Sequence, residues 1–168
     1  MTSQNTLLKP FTLSAAVQLK NRMVMAPMTR AKADNHGGAT AAMANYYAKR
    51  AKAGLIITEG TIIRPDAIGY HNVPGIYTQQ QIEKWRVVTD AAHNNGGKIF
   101  MQIWHVGRVS HPIFLQGQLP ISSSATTMQG RVRRADGLYY GQSREATLDE
   151  ITALIEAYAT AAKNAIAA

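Results

Sequence analysis

Cysteine is absent from the 168 residues, which excludes a disulfide framework and any thiolate-held metal. Long apolar runs are absent too. Nothing approaches the roughly 18–20 uninterrupted apolar residues that span a bilayer, so no membrane partner is expected. Acidic residues are few, 10 against 18 Lys and Arg, leaving a formal charge of +8. A basic balance invites a polyanionic partner. The basic residues are nevertheless spread along the chain, and the densest cluster is Arg131, Arg133 and Arg134 in a Gly-rich polar segment. No helix-turn-helix or aromatic-plus-basic strand accompanies it. Nucleic acid is therefore not expected, and a phosphate-bearing cofactor accounts for the charge equally well.

Several site motifs are also missing. There is no GxGxxG turn, no GxxxxGK[ST] loop and no HExxH helix, so a dinucleotide turn, a P-loop and a zincin site are unsupported. His105 and His111 lie in one loop far from His36, His71 and His93, which leaves metal binding without a ligand set. Ser122-Ser123-Ser124 lacks a nucleophile elbow. Hydrophobic residues make up 46% and charged ones 17%, enough apolar material for one domain with a core and too little charge for a disordered chain. The polar start Met1-Thr2-Ser3-Gln4-Asn5 is unlike a signal peptide, and the cytoplasm is the expected compartment.

Three strand-then-helix units follow from periodicity. Arg22-Met23-Val24-Met25-Ala26 is an apolar run ending at Pro27, as a buried parallel strand would end. Thr40 stands where it would cap a helix carrying Met43, Tyr46, Tyr47 and Ala51 to a stop at Gly54. Leu55-Ile56-Ile57-Thr58-Glu59 reads as a second strand. Thr78-Gln79-Gln80-Gln81 is a capping box opening a helix with Ile82, Trp85, Val88 and Ala92 at helical spacing. After Asn95-Gly96-Gly97, Lys98–Ile103 is a third strand. A second capping box, Thr147-Leu148-Asp149-Glu150, opens a last helix whose apolar face is expected at Ile151, Leu154, Ile155, Tyr158 and Ala162.

This alternation predicts an α/β fold with a parallel sheet and right-handed crossovers. The segment from Trp104 to Ala146 runs to about 40 residues, many times the usual strand-to-helix connection, so a hairpin or a site is expected within it. Three parallel strands with helices on one side leave the other sheet face bare. The pattern therefore matches the front part of a larger barrel.

In a parallel barrel, function sits at the C-terminal strand ends. The residues there are Pro27, Met28, Thr29 and Arg30, then Gly60 and Thr61, then Gln102, Trp104 and His105. Thr29 and Gln102 bring hydrogen-bonding groups, and the Gln102 amide can pair with an imide through one donor and one acceptor. Gly60 has no side chain to block a flat ligand, and Trp104 offers an aromatic wall. The set suits a planar heterocycle edged with carbonyl and imide groups. Each residue also has a plainer use: Thr29 and Gln102 as bridges to the backbone, Gly60 as a turn, Trp104 as packing.

The same residues resemble the Old Yellow Enzyme family. The likeness is carried by Val24-Met25-Ala26-Pro27-Met28-Thr29-Arg30, by Asn45-Tyr46-Tyr47 with Arg50-Ala51, and by Gly54-Leu55-Ile56-Ile57-Thr58-Glu59-Gly60. Gly69-Tyr70, Pro74-Gly75-Ile76-Tyr77, Trp85 and the specific run Gln102-Ile103-Trp104-His105-Val106-Gly107-Arg108-Val109-Ser110-His111 extend it over nearly the whole chain. Its flavour is closest to the bacterial N-ethylmaleimide reductase branch. The resemblance implies a TIM (β/α)8 barrel of which residues 1–168 form the N-terminal part of one FMN-binding domain, supplying the first three βα units. It implies non-covalent FMN, NAD(P)H as reductant, and reduction of activated C=C bonds in α,β-unsaturated carbonyls and, in this branch, of nitro compounds.

By the same resemblance, Pro27 and Met28 line the flavin, the Thr29 hydroxyl bonds near N5 and O4, Gly60 lets the ring approach, and Gln102 pairs with the pyrimidine edge. Tyr70 and Trp104 match substrate-pocket positions. The family's substrate-anchoring His/Asn or His/His pair, its protonating tyrosine and its phosphate loops match nothing before Ala168, so no catalytic residue is assigned within the chain. Asn35-His36-Gly37-Gly38-Ala39 lacks a proline usual in relatives, and a looser loop is expected there. The isolated 168 residues are not expected to retain FMN through purification or to turn over. Partners follow: a small-molecule substrate, and the missing half as a second chain or a self-associated copy. The rival reading is a self-associating half-barrel that binds a flavin or another small molecule without turnover.

Overall fold

The computed structural model describes residues 6–168. An antiparallel hairpin, β1 (Phe11–Ser14) and β2 (Val17–Leu19), precedes the α/β core. Ala15 and Ala16 join its strands without the Gly or Asn that normally signals a tight hairpin turn, so nothing in the sequence pattern announced it.

The core sheet has three parallel strands in the order β3 (Val24–Met25), β4 (Leu55–Ile62), β5 (Ile99–Trp104). The predicted α/β class stands. The first strand is shorter than the predicted Arg22–Ala26 because only Val24 and Met25 pair, with Leu55 and Ile56; Pro27 brings no N–H to continue the ladder. The second is longer than predicted. It continues through Gly60 to Ile62, where it also bridges Gly75. Gly54, just before β4, lies tight against the segment that leads into β3. Its N–H donates to Met23 O at 2.9 Å, and a Cβ there would fall 2.0 Å from the carbonyl oxygen of Asn21.

Helix α1 (Ala41–Ala48) stops short of Gly54, and the chain winds on through tight turns at Arg50, Ala51 and Ala53. Thr40 takes the cap position but turns its hydroxyl to Lys32 O instead. Both predicted capping boxes are formed, Thr78 with Gln81 on α2 (Gln79–Asn94) and Thr147 with Glu150 on α3 (Leu148–Ala167). The core lies where α1 and α2 pack on the sheet, centred on Tyr47, Trp85, Met43, Ile56, Ile63 and Ile76. The Trp85 indole N–H is satisfied there by Gly75 O.

Helix α3 departs from expectation. Its contact line is Leu154, Ala157 and Ala161, while Ile151, Ile155 and Tyr158 stand exposed. Helical periodicity finds a stripe but not which edge of it meets the sheet. The Asn35–Ala39 loop is not loose either: the Asp34 carboxylate accepts the amides of His36 and Gly38, both at 2.8 Å, and pairs with Lys84. The long segment after β5 does fold on itself. Antiparallel bonds join Thr126 to Ser143, Met128 to Gly141, Gly130 to Tyr140 and Val132 to Leu138, and the tip carries Arg134 with φ 59°. No helix among the described residues is long and apolar enough to cross a membrane.

Candidate functional site

The hairpin tip returns to the C-terminal edge of the sheet. A pocket of about 350 Å³ opens there, lined by Pro27, Met28, Thr29, Tyr70, Trp104, Arg133 and Arg134. Five residues proposed from sequence therefore meet at one place. Pro27, Met28 and Thr29 arrive on the turn after β3, Trp104 ends β5, and Tyr70 comes from the connection after β4. The Tyr70 and Trp104 rings lie 6.2 Å apart at 39°.

Gly60 and Gln102 are not lining residues of that pocket. They pair with each other across β4 and β5. The space that a side chain would take at Gly60 is not open: a Cβ would stand 2.3 Å from Trp104 Cε2. The missing side chain leaves room for the Trp104 indole against the strand, and Gly60 itself is buried beneath it.

Three polar groups at this edge have no protein partner among the described residues. The Trp104 indole N–H is buried without an acceptor. The Thr29 hydroxyl and the Gln102 amide make no hydrogen bond, whereas neighbouring polar side chains such as Thr58 and Thr61 do. A hydroxyl, an amide with both donor and acceptor, and an apolar floor of Pro27 and Met28 fit the edge of a planar imide-bearing ring such as a flavin.

Beneath the Thr29 turn lies a carboxylate, that of Glu59, to which the sequence pattern gives no role. Register slips by one residue between Ile57 and Gly60, a bulge that re-aims the side chains of β4. Thr58 Oγ1 accepts the Gln102 amide at 3.0 Å, and Glu59 turns inward, 1% exposed. Its Oε2 accepts the amides of Arg30 at 2.9 Å and Ala31 at 3.3 Å; its Oε1 accepts the Tyr47 hydroxyl at 3.3 Å. Burial pushes the Glu59 carboxyl above its usual range, opposed by those amides and by Arg30. Burial and the Glu59 charge drive the Tyr47 phenol well above its ordinary value. A lone acid inside the apolar run Leu55–Ile62 was the available signal, since such residues are almost never buried unpaired.

From the other side, Arg134 donates to Thr29 O at 2.9 Å and Arg30 O at 3.2 Å. Arg133 has no acidic partner among the described residues. Burial and the nearby Tyr140 keep the Tyr70 hydroxyl protonated to higher pH, against a smaller pull from Arg133.

Residues 6–168 match the family model described as NADH:flavin oxidoreductase / NADH oxidase. The chain belongs to this family. Among curated members, 12-oxophytodienoate reductase 1 of Oryza sativa subsp. japonica is 43% identical over 164 residues, covering 96% of this chain and 42% of its own. Flavin oxidoreductase hxnT of Emericella nidulans is 42% identical, covering 91% of this chain and 41% of its own. An Old Yellow Enzyme homologue from Zymomonas mobilis superposes with a TM-score of 0.91 at 40% identity, over 97% of this chain and 46% of that one. Morphinone reductase in complex with tetrahydroNAD gives 0.86 at 39% identity, with 96% and 46% covered. The chain thus spans less than half the length of these family members. Its three βα units take the place of part of their barrel, as the resemblance implied.

Proposed function

We propose that this chain forms the flavin-facing first part of an FMN-dependent ene-reductase, with NAD(P)H as reductant and activated C=C bonds of α,β-unsaturated carbonyls, or nitro compounds, as substrates. The observation that carries the proposal is the convergence of Pro27, Met28, Thr29, Tyr70 and Trp104 on one pocket at the strand ends.

FMN would be held by the backbone of Pro27 and Met28, by the Thr29 hydroxyl and by the Gln102 amide. When bound, it supplies hydride transfer between the nicotinamide and the alkene. The protein's part is placement and electrostatics. Thr29 Oγ1 offers a hydroxyl proton to the ring edge, and the Gln102 amide offers both a donor and an acceptor. Trp104 and Tyr70 wall the substrate side and exclude water. Unpaired Arg133 gives the pocket a positive potential suited to the phosphates of NAD(P)H.

The proton donor and the carbonyl anchor are assigned to the rest of the barrel, and no residue of this chain takes those roles. The partner that covers the sheet is accordingly the remaining barrel, in one polypeptide or as a second chain. A second copy of this chain is the alternative, favoured by the apolar groove of about 490 Å³ running past Ile99, Phe100, Ile103 and Ile166. A flavin reductase works where the NAD(P)H pool is, and the cytoplasm is the proposed compartment.

The test is intact mass, flavin absorbance and NAD(P)H oxidation with N-ethylmaleimide, all on protein isolated from its own host. A yellow species consuming one NAD(P)H per alkene reduced supports the proposal. A self-associated 18.3 kDa chain with no second polypeptide, which binds added FMN but oxidises no NAD(P)H, overturns it in favour of the half-barrel module.

A further inference from the structure

The turn that carries Thr29 has an unusual support. Ala31 lies in the left-handed region at φ 52°, which an L-residue other than Asn or Asp rarely adopts. That conformation points two successive amides, Arg30 and Ala31, at one oxygen, Oε2 of Glu59. Paired amides of this kind form an anion-binding nest. Here the anion is the protein's own side chain, delivered from the bulge in β4 and braced by Tyr47, whose hydroxyl also accepts the Glu59 amide at 2.8 Å.

We infer that Glu59, braced by Tyr47, is the positioning residue of the site: its carboxylate holds the Thr29–Ala31 backbone so that the Thr29 hydroxyl stands in the pocket. The inference rests on the reading that Thr29 faces the flavin. Glu59 itself touches neither the pocket nor a substrate. Its effect passes through two amide hydrogen bonds and one strained residue. Without an acceptor at that place, the strain loses its compensation and the turn relaxes, taking Thr29 with it.

The charged and titratable groups facing Glu59 are Tyr47 from α1 and Arg30 from the turn itself. Amide resonances of the chain are followed by NMR across pH, together with amide exchange in Glu59→Gln and Glu59→Ala. The expected result is that the Arg30 and Ala31 amide protons shift together, with one midpoint above the usual carboxylate range. The Ile56 amide, bonded to Lys98 O, stays still. In Glu59→Gln the shared titration vanishes while exchange at both amides stays near wild type, because the side-chain amide still accepts. In Glu59→Ala exchange there rises about tenfold or more, as for loss of two charge-assisted bonds. If the two amides do not share a midpoint in wild type, or titrate unchanged in Glu59→Gln, the inference is overturned, and neither result needs Glu59→Ala to fold. FMN is then added to the wild-type sample at millimolar concentration. Movement of the Met28 and Thr29 amides supports the flavin reading, and their silence overturns that reading alone, since the Glu59 result is scored without flavin.

Discussion

Replacing Gly54 by Ala tests whether the close contact between the segments leading into β3 and β4 helps hold the sheet together. The added Cβ would lie 2.0 Å from Asn21 O and 2.9 Å from Asn21 C. Both are backbone atoms that cannot rotate away, so the two segments must move apart. Overpacking of this kind costs about 1–3 kcal/mol. Separation also strains the Gly54 and Leu55 amides, which share Met23 O at 2.9 and 3.2 Å, and each weakened bond adds about 1 kcal/mol. The sum, about 3–5 kcal/mol, is a large part of the total stability expected of one small domain. With a urea slope of about 2 kcal/mol per molar, the midpoint should fall by roughly 2 M, followed by far-UV circular dichroism. Gly141→Ala is the control, because a Cβ there meets nothing within 4 Å; it should stay within about 0.5 kcal/mol of wild type. A Gly54→Ala midpoint as close to wild type as the control's would refute the reasoning.

Gly60→Ala should displace the Trp104 indole, costing about 1–3 kcal/mol and changing the near-UV circular dichroism, and an unchanged aromatic spectrum counts against the packing described. Arg134→Ala should free the hairpin tip from Thr29 O and Arg30 O at a cost of about 1 kcal/mol, with faster amide exchange across 130–140 and little change in melting temperature; unchanged exchange there would contradict it. Asp34 is held at about 2, below its ordinary 3.8, chiefly by its bond to Lys84. Its stabilisation is therefore present above pH 3.8 and lost as pH falls toward 2, and the gap in urea midpoint between wild type and Asp34→Asn should close over that window. Glu59 has the opposite sign. With a folded value raised above 4.5, its contribution is fullest below that pH and fades as pH rises through the raised value, so Glu59→Gln should gain on wild type toward neutral pH.

Much of this was legible along the chain. Both capping boxes, the three parallel strands and the strand-end residues Pro27, Met28, Thr29 and Trp104 follow from local chemistry, because caps and periodicity are written within a few residues. The missed features are non-local. The Glu59 nest joins residues 28 and 29 positions apart, and it exists because a bulge slips the register of β4. Arg134 reaches Thr29 from 105 positions away, across a loop whose path no periodicity describes. The exposed side of α3 is non-local for a related reason: Ile151 and Ile155 belong to the apolar stripe, but the line of contact with the sheet is drawn by where the helix docks.

The order of elements, the α/β class and the chemical types gathered at the strand ends were thus determined by the sequence itself, since each depends on neighbours in the chain. Tertiary structure decided which of those groups share a pocket, and that Gly60 makes room for an indole. It also decided that a buried acid and a distant arginine grip the Thr29 turn from opposite sides. Those outcomes depend on packing and register, where one extra residue in a strand redirects a side chain from one surroundings to another.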